Sequence, residues 1–467
     1  MRVSEQTLTE RLATAIFDVP ADGFDRATLA HAQRFVLDWL ACALAGTVTP
    51  AGTMLIAEGA ERGAGPSATL GVPGGRDAET AALINGGLSH IVEMDDLDRG
   101  SVVHPGTVVV PAALAVAEQV GATGTDVLAA VVVGYEAAIR VGGAVGRSHY
   151  AYWQNTATCG AFGAAAAAGR LLGLDATQLA WAFGNAGSVA SGLWQFNHDG
   201  AMTKHLHAGR AAANGVLAAR LAVRGFTGAR AILEGPQGLF AATSTDAEPQ
   251  RVVAGIEHGL GTADSPWKIG GVSIKPHASC RHTHPAVDAA LAVRRDFGAD
   301  LADRVVGVQV DTYATALAVT DRPDPRNPYQ AKFSLQYTVA HALLHGRVGL
   351  HDFGSDRLDD RDLRRVMSTV RLDVDDVLDA RYPTAWAARV AVELKDGSTR
   401  VATVDAPAGD PENPVTDAAL ATKFRDLIAG TPYAEQSDRV LASIADLDTR
   451  PSMTGFLPTA MVPAIAG

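Results

Sequence analysis

Cysteine is scarce in this chain of 467 residues, which contains only Cys42, Cys159 and Cys280. The three thiols are widely separated, and the sequence has neither a Cys-x-x-Cys pair nor the close Cys/His spacing of a zinc motif. A disulfide scaffold and an iron–sulfur cluster are therefore not expected. Nucleotide motifs are lacking as well, since residues 71–77 (GVPGGRD) match neither the dinucleotide nor the P-loop pattern.

Positive charge is also in short supply, because 39 Lys and Arg face 51 Asp and Glu and leave a formal net charge of −12. Nucleic-acid binding needs clustered basic residues, so we expect no nucleic-acid partner. A small anionic substrate stays compatible, because a local site can be basic within an acidic protein.

Long hydrophobic runs are missing too. Apolar runs such as 106–117 and 157–169 are shorter than the about 20 residues that a membrane span needs. The N-terminal residues MRVSEQTLTERL alternate in charge and lack the apolar core of a secretory signal. We therefore expect no membrane partner and a cytoplasmic location.

Aromatic residues make up only 6 % of the chain, whereas alanine and glycine are abundant in its first half. Residues 27–46, 112–120, 126–146 and 161–173 carry small and apolar side chains at the spacing of buried helices. Small side chains let helix axes approach closely. The pattern predicts a large all-helical domain over residues 1–265.

The pattern changes near residue 266. Residues 305–313 alternate like a half-buried strand, and residues 389–405 predict two strands around an Asp396-Gly397 turn. Helical stretches are predicted at 286–297 and 334–346. The fold class is thus mainly α, with a smaller α+β domain over 266–409 and C-terminal helices in 410–467 that complete the first domain.

The first group of candidate residues lies at His90-Ile-Val-Glu93-Met-Asp95-Asp96-Leu-Asp98, followed by His104. Dense carboxylates with nearby histidines can bind a hard divalent cation or act as acids and bases. The spacing does not fit an EF-hand. A solvated acidic loop is the alternative.

The second group is Lys204, His207 and Arg210, which share one helix face if the segment is helical. Such a face suits a carboxylate-bearing ligand. An exposed basic helix start is the alternative, although the apolar residues that follow indicate a mostly buried helix.

The third group runs from Lys275 to His284 and includes His277, Cys280, Arg281 and His282. It precedes a helix whose N-terminus could meet an anion. Zinc binding by the histidines and a polar loop at a domain boundary are the alternatives.

Taken together, these segments resemble the MmgE/PrpD family along nearly the whole chain. The likeness is carried by HIVEMDDLDRGSVVHPGTVVVPAALAVAE, FGAAAAAGRLLGLD, GSVASGLWQFNHDGAMTKHLHAGRAAANGVLAARLAVRGFTGARAILEGPQG, IKPHASCRHTHPAVDAAL, NPYQAKFSLQYTVAHALLHGRV and TDAALATKF. The resemblance implies a homodimer with a large helical domain and a smaller α+β lid. It also implies 2-methylcitrate dehydratase, cis-aconitate decarboxylase or iminodisuccinate epimerase activity.

These activities share the transfer of a proton at a carbon atom next to a carboxylate, without a metal or organic cofactor. The resemblance implies cationic side chains that hold the substrate carboxylates and a group that moves the proton. We expect Lys204 to hold a carboxylate or act as an acid, and His104 to transfer protons. The expected catalytic residues are His104, Lys204, Asp95 and His284, and the expected substrate-binding residues are Asp96, Gln154, His207, Lys275, Cys280 and His282, with no metal ligand.

Four positions depart from the decarboxylase pattern. Glu93 and Leu97 stand where that pattern has Asp and Thr, Gln154 replaces a histidine, and Cys280 aligns with another histidine. Gln154 cannot carry a proton at neutral pH. These departures count against cis-aconitate decarboxylation.

The default expectation is therefore a hydro-lyase that dehydrates a 2-methylcitrate-like acid. The alternatives are an iminodisuccinate-type epimerase, a family member that acts on a specialised metabolite, and a substrate-binding homologue without activity. The retained His104, Lys204 and His284 count against the last.

Overall fold

The computed structural model describes residues 6–295, 297 and 301–458. The described chain divides into two compact units. The first contains residues 6–91, 95–272 and 417–458, and the second contains residues 92–94 and 273–416. These limits lie near 265/266 and 409/410, where the sequence pattern places the domain boundaries. Residues 1–5 and 459–467 of the predicted first domain, and residue 296 of the predicted helix 286–297, lie outside the described residues.

The first unit consists almost entirely of helices. Its longer helices are Leu8–Phe17, Arg26–Gly46, Pro50–Ala60, Ala78–Ser89, Gly106–Val120, Gly124–Ala144, Gly160–Leu171, Ala176–Ser188, Thr203–Val223, Asp417–Ile428 and Ser437–Ala445. Shorter helices span Arg147–Tyr150, Asn155–Thr158, Gln195–Asp199 and Leu239–Thr243, and short strands span Ala64–Ser67 and Leu97–Asp98.

Glycine allows two central helices of this unit to pack closely. A Cβ atom on Gly163 would lie 2.6 Å from the carbonyl oxygen of Gly134, and one on Gly134 would lie 2.9 Å from the carbonyl oxygen of Gly163. The two residues are in helices Gly160–Leu171 and Gly124–Ala144. The predicted packing through small side chains is therefore present, and any larger residue here would force the helices apart.

Helix Gly124–Ala144 has the length and composition of a membrane span, with 21 residues, although the apolar runs noted in the sequence are shorter. Of its most apolar window, 94 % is buried within the protein. A mostly apolar helix that is buried on nearly all sides also fits the core of a large helical unit. The bent pair Arg26–Gly46 and Pro50–Ala60 meets the same criteria only if both are taken as one span.

The second unit combines helices with one sheet. Strand Val305–Thr312 pairs in parallel with Val370–Val374 and antiparallel with Ala388–Leu394, which pairs antiparallel with Thr399–Val404. The helices are His284–Arg295, Leu301–Arg304, Ala314–Thr320, Pro328–Lys332, Leu335–His345, Ser355–Leu358, Arg361–Met367 and Asp376–Asp379. A further short strand, Val272–Ser273, lies at the boundary of the two units.

The predicted hairpin at Asp396-Gly397 is confirmed. Gly397 has a φ of 79°, a conformation that glycine adopts without strain, and the backbone N–H of Leu394 donates to Ser398 O at 2.9 Å. The mainly α fold class, with a large helical part and a smaller α+β part, is confirmed as well.

Candidate active site

The acidic segment that follows helix Ala78–Ser89 is buried. Glu93, Asp95 and Asp96 are at most 2 % exposed, so the alternative of a solvated acidic loop is wrong. A buried carboxylate needs hydrogen-bond donors or cations, because desolvation penalises its charge. The contacts of each carboxylate therefore identify its role.

Asp95 lies between two histidines in the first unit. Nδ1 of His90 is 2.7 Å from Oδ2 of Asp95, and Nδ1 of His104 is 3.0 Å from the same oxygen. The two rings meet edge to face, with centroids 5.0 Å apart. The backbone N–H of His104 donates to Oγ1 of Thr156 at 3.1 Å, which fixes the residue just before helix Gly106–Val120. One carboxylate thus orients two imidazoles.

Gln154 extends this cluster to His207. Its Nε2 is 3.1 Å from Nε2 of His90, and its Oε1 is 2.8 Å from Nδ1 of His207. The side chains of His207, Gln154, His90, Asp95 and His104 therefore form one continuous chain of contacts within the first unit. Gln154 is 3 % exposed.

Lys204 and His207 lie in the first turns of helix Thr203–Val223. Lys204 is 4 % exposed, so the alternative of an exposed basic helix start is wrong for this residue. Arg210, by contrast, is exposed and donates to Oδ1 of Asn214 at 3.0 Å. Burial lowers the pKa of His207 to about 4, with further contributions from His90 and Lys204, so His207 is neutral at pH 7.

Asp96 has a different environment from its neighbour. Its carboxylate accepts hydrogen bonds from the backbone N–H of Gly106 at 3.0 Å and from the hydroxyl of Tyr135 at 2.6 Å. It therefore caps the start of helix Gly106–Val120. Burial raises the pKa of Asp96 well above its ordinary value. These contacts give Asp96 a structural role, and its role in substrate binding stays a prediction.

A metal ion is the alternative use of the histidine–aspartate cluster. His90, Asp95 and His104 each offer one ligand atom, and these atoms lie within 4.8 Å of one another. Two imidazoles and one carboxylate suit several transition metals. However, both Nδ1 atoms are already at hydrogen-bonding distance from Oδ2 of Asp95, and Nε2 of His90 is bonded to Gln154. Both ring nitrogens of His90 are therefore accounted for by contacts within the protein.

The second unit contains Lys275, which is 1 % exposed. Its Nζ donates to the carbonyl oxygen of Glu93 at 3.1 Å and lies 3.7 Å from Oε2 of the same residue. Lys332 donates to the carbonyl oxygen of Val92 at 2.8 Å. Two buried lysines thus hold residues 92–94, where Glu93 has a φ of 62° that is uncommon for a residue with a side chain.

Two of the histidines predicted near Lys275, His282 and His284, are buried and neutral. Nδ1 of His284 accepts from Nη1 of Arg281 at 2.8 Å, and its Nε2 donates to Ser279 O at 3.2 Å. Burial lowers the pKa of His284 well below its ordinary value, and that of His282 to about 3. His282 stacks on Trp386 with centroids 4.3 Å apart. Each ring is thus held by protein contacts.

Cys280 and His277 are the remaining candidate residues of this segment, and their contacts bear on the zinc alternative. The backbone N–H of Cys280 donates to Lys332 O at 2.9 Å, and its side chain is buried. Nε2 of His277 lies 2.7 Å from Oδ1 of Asp288. Over residues 6–295, 297 and 301–458, these histidines form no group with metal-ligand spacing, so the zinc alternative receives no support there.

His90 belongs to the first candidate group of the sequence but not to the expected catalytic or substrate-binding residues. It stands at the start of the acidic segment, five positions before Asp95, but its partner Gln154 is 64 positions away. Its proximity to Asp95 in sequence is the signal that could have identified it.

The chain matches both domains of a known protein family. Residues 10–252 match the MmgE/PrpD N-terminal domain, and residues 277–449 match the MmgE/PrpD C-terminal domain. The chain belongs to the MmgE/PrpD family. The C-terminal match begins in the second unit and runs on into helices Asp417–Ile428 and Ser437–Ala445 of the first.

Several curated MmgE/PrpD relatives match over nearly the full length. The cis-aconitate decarboxylase-like protein oryM of Aspergillus oryzae is 27 % identical over 94 % of this chain and 93 % of its own length. Cis-aconitate decarboxylase of Aspergillus terreus is 28 % identical over 94 % of this chain and 92 % of its own. Human cis-aconitate decarboxylase is 27 % identical over 99 % of this chain and 96 % of its own length. The chain is accordingly an enzyme of the lyase or isomerase class.

Proposed function

We propose that this MmgE/PrpD protein is a cofactor-independent lyase that transfers a proton at a carbon atom next to a carboxylate of a small di- or tricarboxylate. The observation that carries the proposal is the buried Lys204 beside the chain of His207, Gln154, His90, Asp95 and His104. It combines a cation for a substrate carboxylate with neutral and carboxylate-paired imidazoles for proton transfer.

Lys204 provides the electrostatic part of this mechanism. Its ammonium group pairs with a substrate carboxylate and stabilises the negative charge that develops when the adjacent carbon loses a proton. Because the residue is 4 % exposed, water screens this interaction little. A bound anion would also raise the pKa of His207 from its low value, which makes that ring a better base in the complex.

His104 provides the proton transfer. The carboxylate of Asp95, 3.0 Å from its Nδ1, stabilises the imidazolium that forms when His104 takes up a proton. In dehydration, the base removes the proton from carbon, the electron pair forms the double bond, and hydroxide leaves as water after protonation. In decarboxylation of cis-aconitate, the bond to carbon dioxide breaks instead and its electron pair forms a new double bond. The electron pair of the original double bond then takes a proton at the carbon next to a remaining carboxylate.

Dehydration of a 2-methylcitrate-like acid is the first candidate reaction. Glu93, Leu97, Gln154 and Cys280 depart from the decarboxylase pattern, and Gln154 supplies no proton of its own. Cis-aconitate decarboxylation is the second candidate, since the relatives with the full-length matches carry that name. The predicted roles of Lys275, His282 and His284 in substrate binding and catalysis belong to the same proposal.

One experiment tests the proposal and separates the candidates. The purified protein is incubated in heavy water with 2-methylcitrate, cis-aconitate or iminodisuccinate, and the reaction is followed by proton NMR. An alkene formed from 2-methylcitrate supports dehydration, and loss of carbon dioxide from cis-aconitate supports decarboxylation. Deuterium in an unchanged carbon skeleton indicates epimerisation instead. Absence of both turnover and exchange with all three acids contradicts the proposal.

A further inference from the structure

Gln154 joins two histidines through the two ends of one amide group. Its backbone N–H donates to Gly192 O at 2.8 Å, and its side chain reaches Nε2 of His90 and Nδ1 of His207. The side chain is 3 % exposed, so water does not compete for these two contacts. An amide has one end that only donates and one end that only accepts, and this asymmetry determines where the ring protons are.

The proton on His90 is determined by Asp95. An ionised carboxylate can only accept, so Nδ1 of His90, 2.7 Å from Oδ2 of Asp95, carries the proton. In the neutral ring Nε2 is then an acceptor, which fits the Nε2 amide group of Gln154 at 3.1 Å. The amide oxygen of Gln154 must consequently accept from Nδ1–H of His207 at 2.8 Å.

The reverse orientation of the amide would carry a cost. Its oxygen would face Nε2 of His90, which would then need protons on both ring nitrogens. The structure instead has Nε2 of Gln154 toward His90 and Oε1 toward His207, which requires no additional proton on His90. In this orientation the donating and the accepting end of the Gln154 amide each have a matching partner.

We propose that Gln154 is a positioning residue that holds His207 in the neutral Nδ1–H tautomer, so that its unprotonated Nε2 is available as a proton acceptor. This inference rests on the proposed function for its catalytic meaning. Among the residues that the structure describes, His207 forms a hydrogen bond through Nδ1 and none through Nε2, and Phe196 packs against the ring with centroids 5.3 Å apart. The ring is therefore oriented by contacts that leave Nε2 available.

The proposal also accounts for the departure at this position. The decarboxylase pattern, as the resemblance implies it, has a histidine at this position. A neutral histidine presents one donor nitrogen and one acceptor nitrogen, and glutamine presents one donor and one acceptor as well. Glutamine therefore still offers a donor to one neighbouring histidine and an acceptor to the other, but it does not take up or release a proton at neutral pH. The substitution thus removes a proton carrier and preserves the orientation of its two neighbours.

The test measures the tautomer of His207 directly. Protein labelled with ¹⁵N-histidine is studied by long-range proton–nitrogen NMR at pH 7, and the His207 signals are assigned with H207N. We expect the Nδ1–H pattern in the wild-type protein, whereas free neutral histidine favours Nε2–H. In Q154M, which removes both polar ends at similar volume, we expect His207 to lose that preference. Q195M, at an exposed position on helix Gln195–Asp199, is the matched control and should change nothing.

Kinetics then test the catalytic meaning. With whichever of the three acids is turned over, Q154M should lower kcat about 10- to 1,000-fold with little change in KM, and Q154H should restore part of it. An Nε2–H tautomer for His207 in the wild-type protein, or an unchanged tautomer in Q154M, overturns the proposal even if no substrate is found. Full activity of Q154M also overturns it. Lack of turnover by the wild-type protein would contradict the proposed function only. The NMR measurement of the His207 tautomer would then decide whether Gln154 is a positioning residue.

Discussion

Oδ2 of Asp95 lies 3.0 Å from Nδ1 of His104, and the carboxylate is 1 % exposed. In this environment the negative charge of Asp95 is scarcely screened, so it stabilises a proton on the imidazole. The pair therefore resembles the base and orienting carboxylate that many proton-transfer enzymes use.

Replacement of His104 tests the proton-transfer role. We expect H104Q to lower kcat/KM about 10²- to 10⁴-fold, the usual contribution of a general acid–base group, with the fold retained. Steady-state kinetics and circular dichroism provide the measurements. H258Q, at an exposed histidine whose side chain is 52 % accessible, should behave as wild type. Wild-type activity in H104Q would remove His104 from the mechanism.

Replacement of Lys204 tests the carboxylate-binding role. Loss of a buried charge-assisted contact costs about 3 kcal/mol, so we expect K204A to lower kcat/KM at least about 100-fold. Denaturant unfolding should show little loss of stability. K268A removes an exposed lysine of the same unit and serves as the matched control. If K204A turns over normally, Lys204 does not bind the substrate.

A buried ion pair joins helix Asp417–Ile428 to helix Arg26–Gly46. Nζ of Lys423 lies 2.5 Å from Oδ1 of Asp38, and both side chains are at most 6 % exposed. We expect K423M to lower the free energy of unfolding by about 3–5 kcal/mol, because it leaves a buried carboxylate without its cation. The double variant D38N/K423M should recover much of that loss in urea unfolding. Equal stability of K423M and wild type would contradict this assignment.

Glu118 predicts a pH dependence of stability. Burial raises its pKa to about 7, although it accepts backbone hydrogen bonds from Ala68 and Gly455. The folded state therefore binds a proton more tightly than the unfolded state, and stability falls as pH rises from about 5 to 8. We expect the stability of E118Q to fall less over this pH range than that of the wild-type protein, so that E118Q is the more stable of the two at pH 8. Parallel pH curves for E118Q and wild type, from thermal unfolding, would show that Glu118 is not responsible.

Metal removal provides a further prediction. Because both Nδ1 atoms of His90 and His104 are at hydrogen-bonding distance from Oδ2 of Asp95, we expect the cluster to work without an ion. Prolonged dialysis against a chelator should leave kcat and KM unchanged, and elemental analysis should find no stoichiometric metal. Loss of activity that zinc or another divalent ion restores would contradict this expectation.

Local patterns predicted much of the fold. The helices follow from apolar spacing, and the hairpin follows from Asp396-Gly397, because both depend on residues that are close in sequence. The proximity of Asp95 and His104 was also within reach of motif reasoning. Residues 92–94 belong to the second unit, and no local pattern in the sequence predicts this.

Burial and long-range contacts were harder to predict. The acidic segment could be interpreted as solvated because its partners are distant, as Tyr135 is from Asp96 and Lys275 is from Glu93. Gln154 was predicted as a substrate-binding residue and as a lost proton carrier, but not as a link between two histidines, since these partners are 64 and 53 positions away. Such contacts are set by tertiary packing, so spacing along the chain does not reveal them.

The most direct test of the central claim is the incorporation of solvent deuterium during turnover of 2-methylcitrate or cis-aconitate. With the wild-type protein, we predict that the carbon next to a carboxylate loses its hydrogen when 2-methylcitrate is turned over, or gains deuterium when cis-aconitate is turned over. Either change should be nearly abolished in H104Q and K204A. Absence of any such change with the wild-type protein, or an equal rate in H104Q and K204A, would contradict the account.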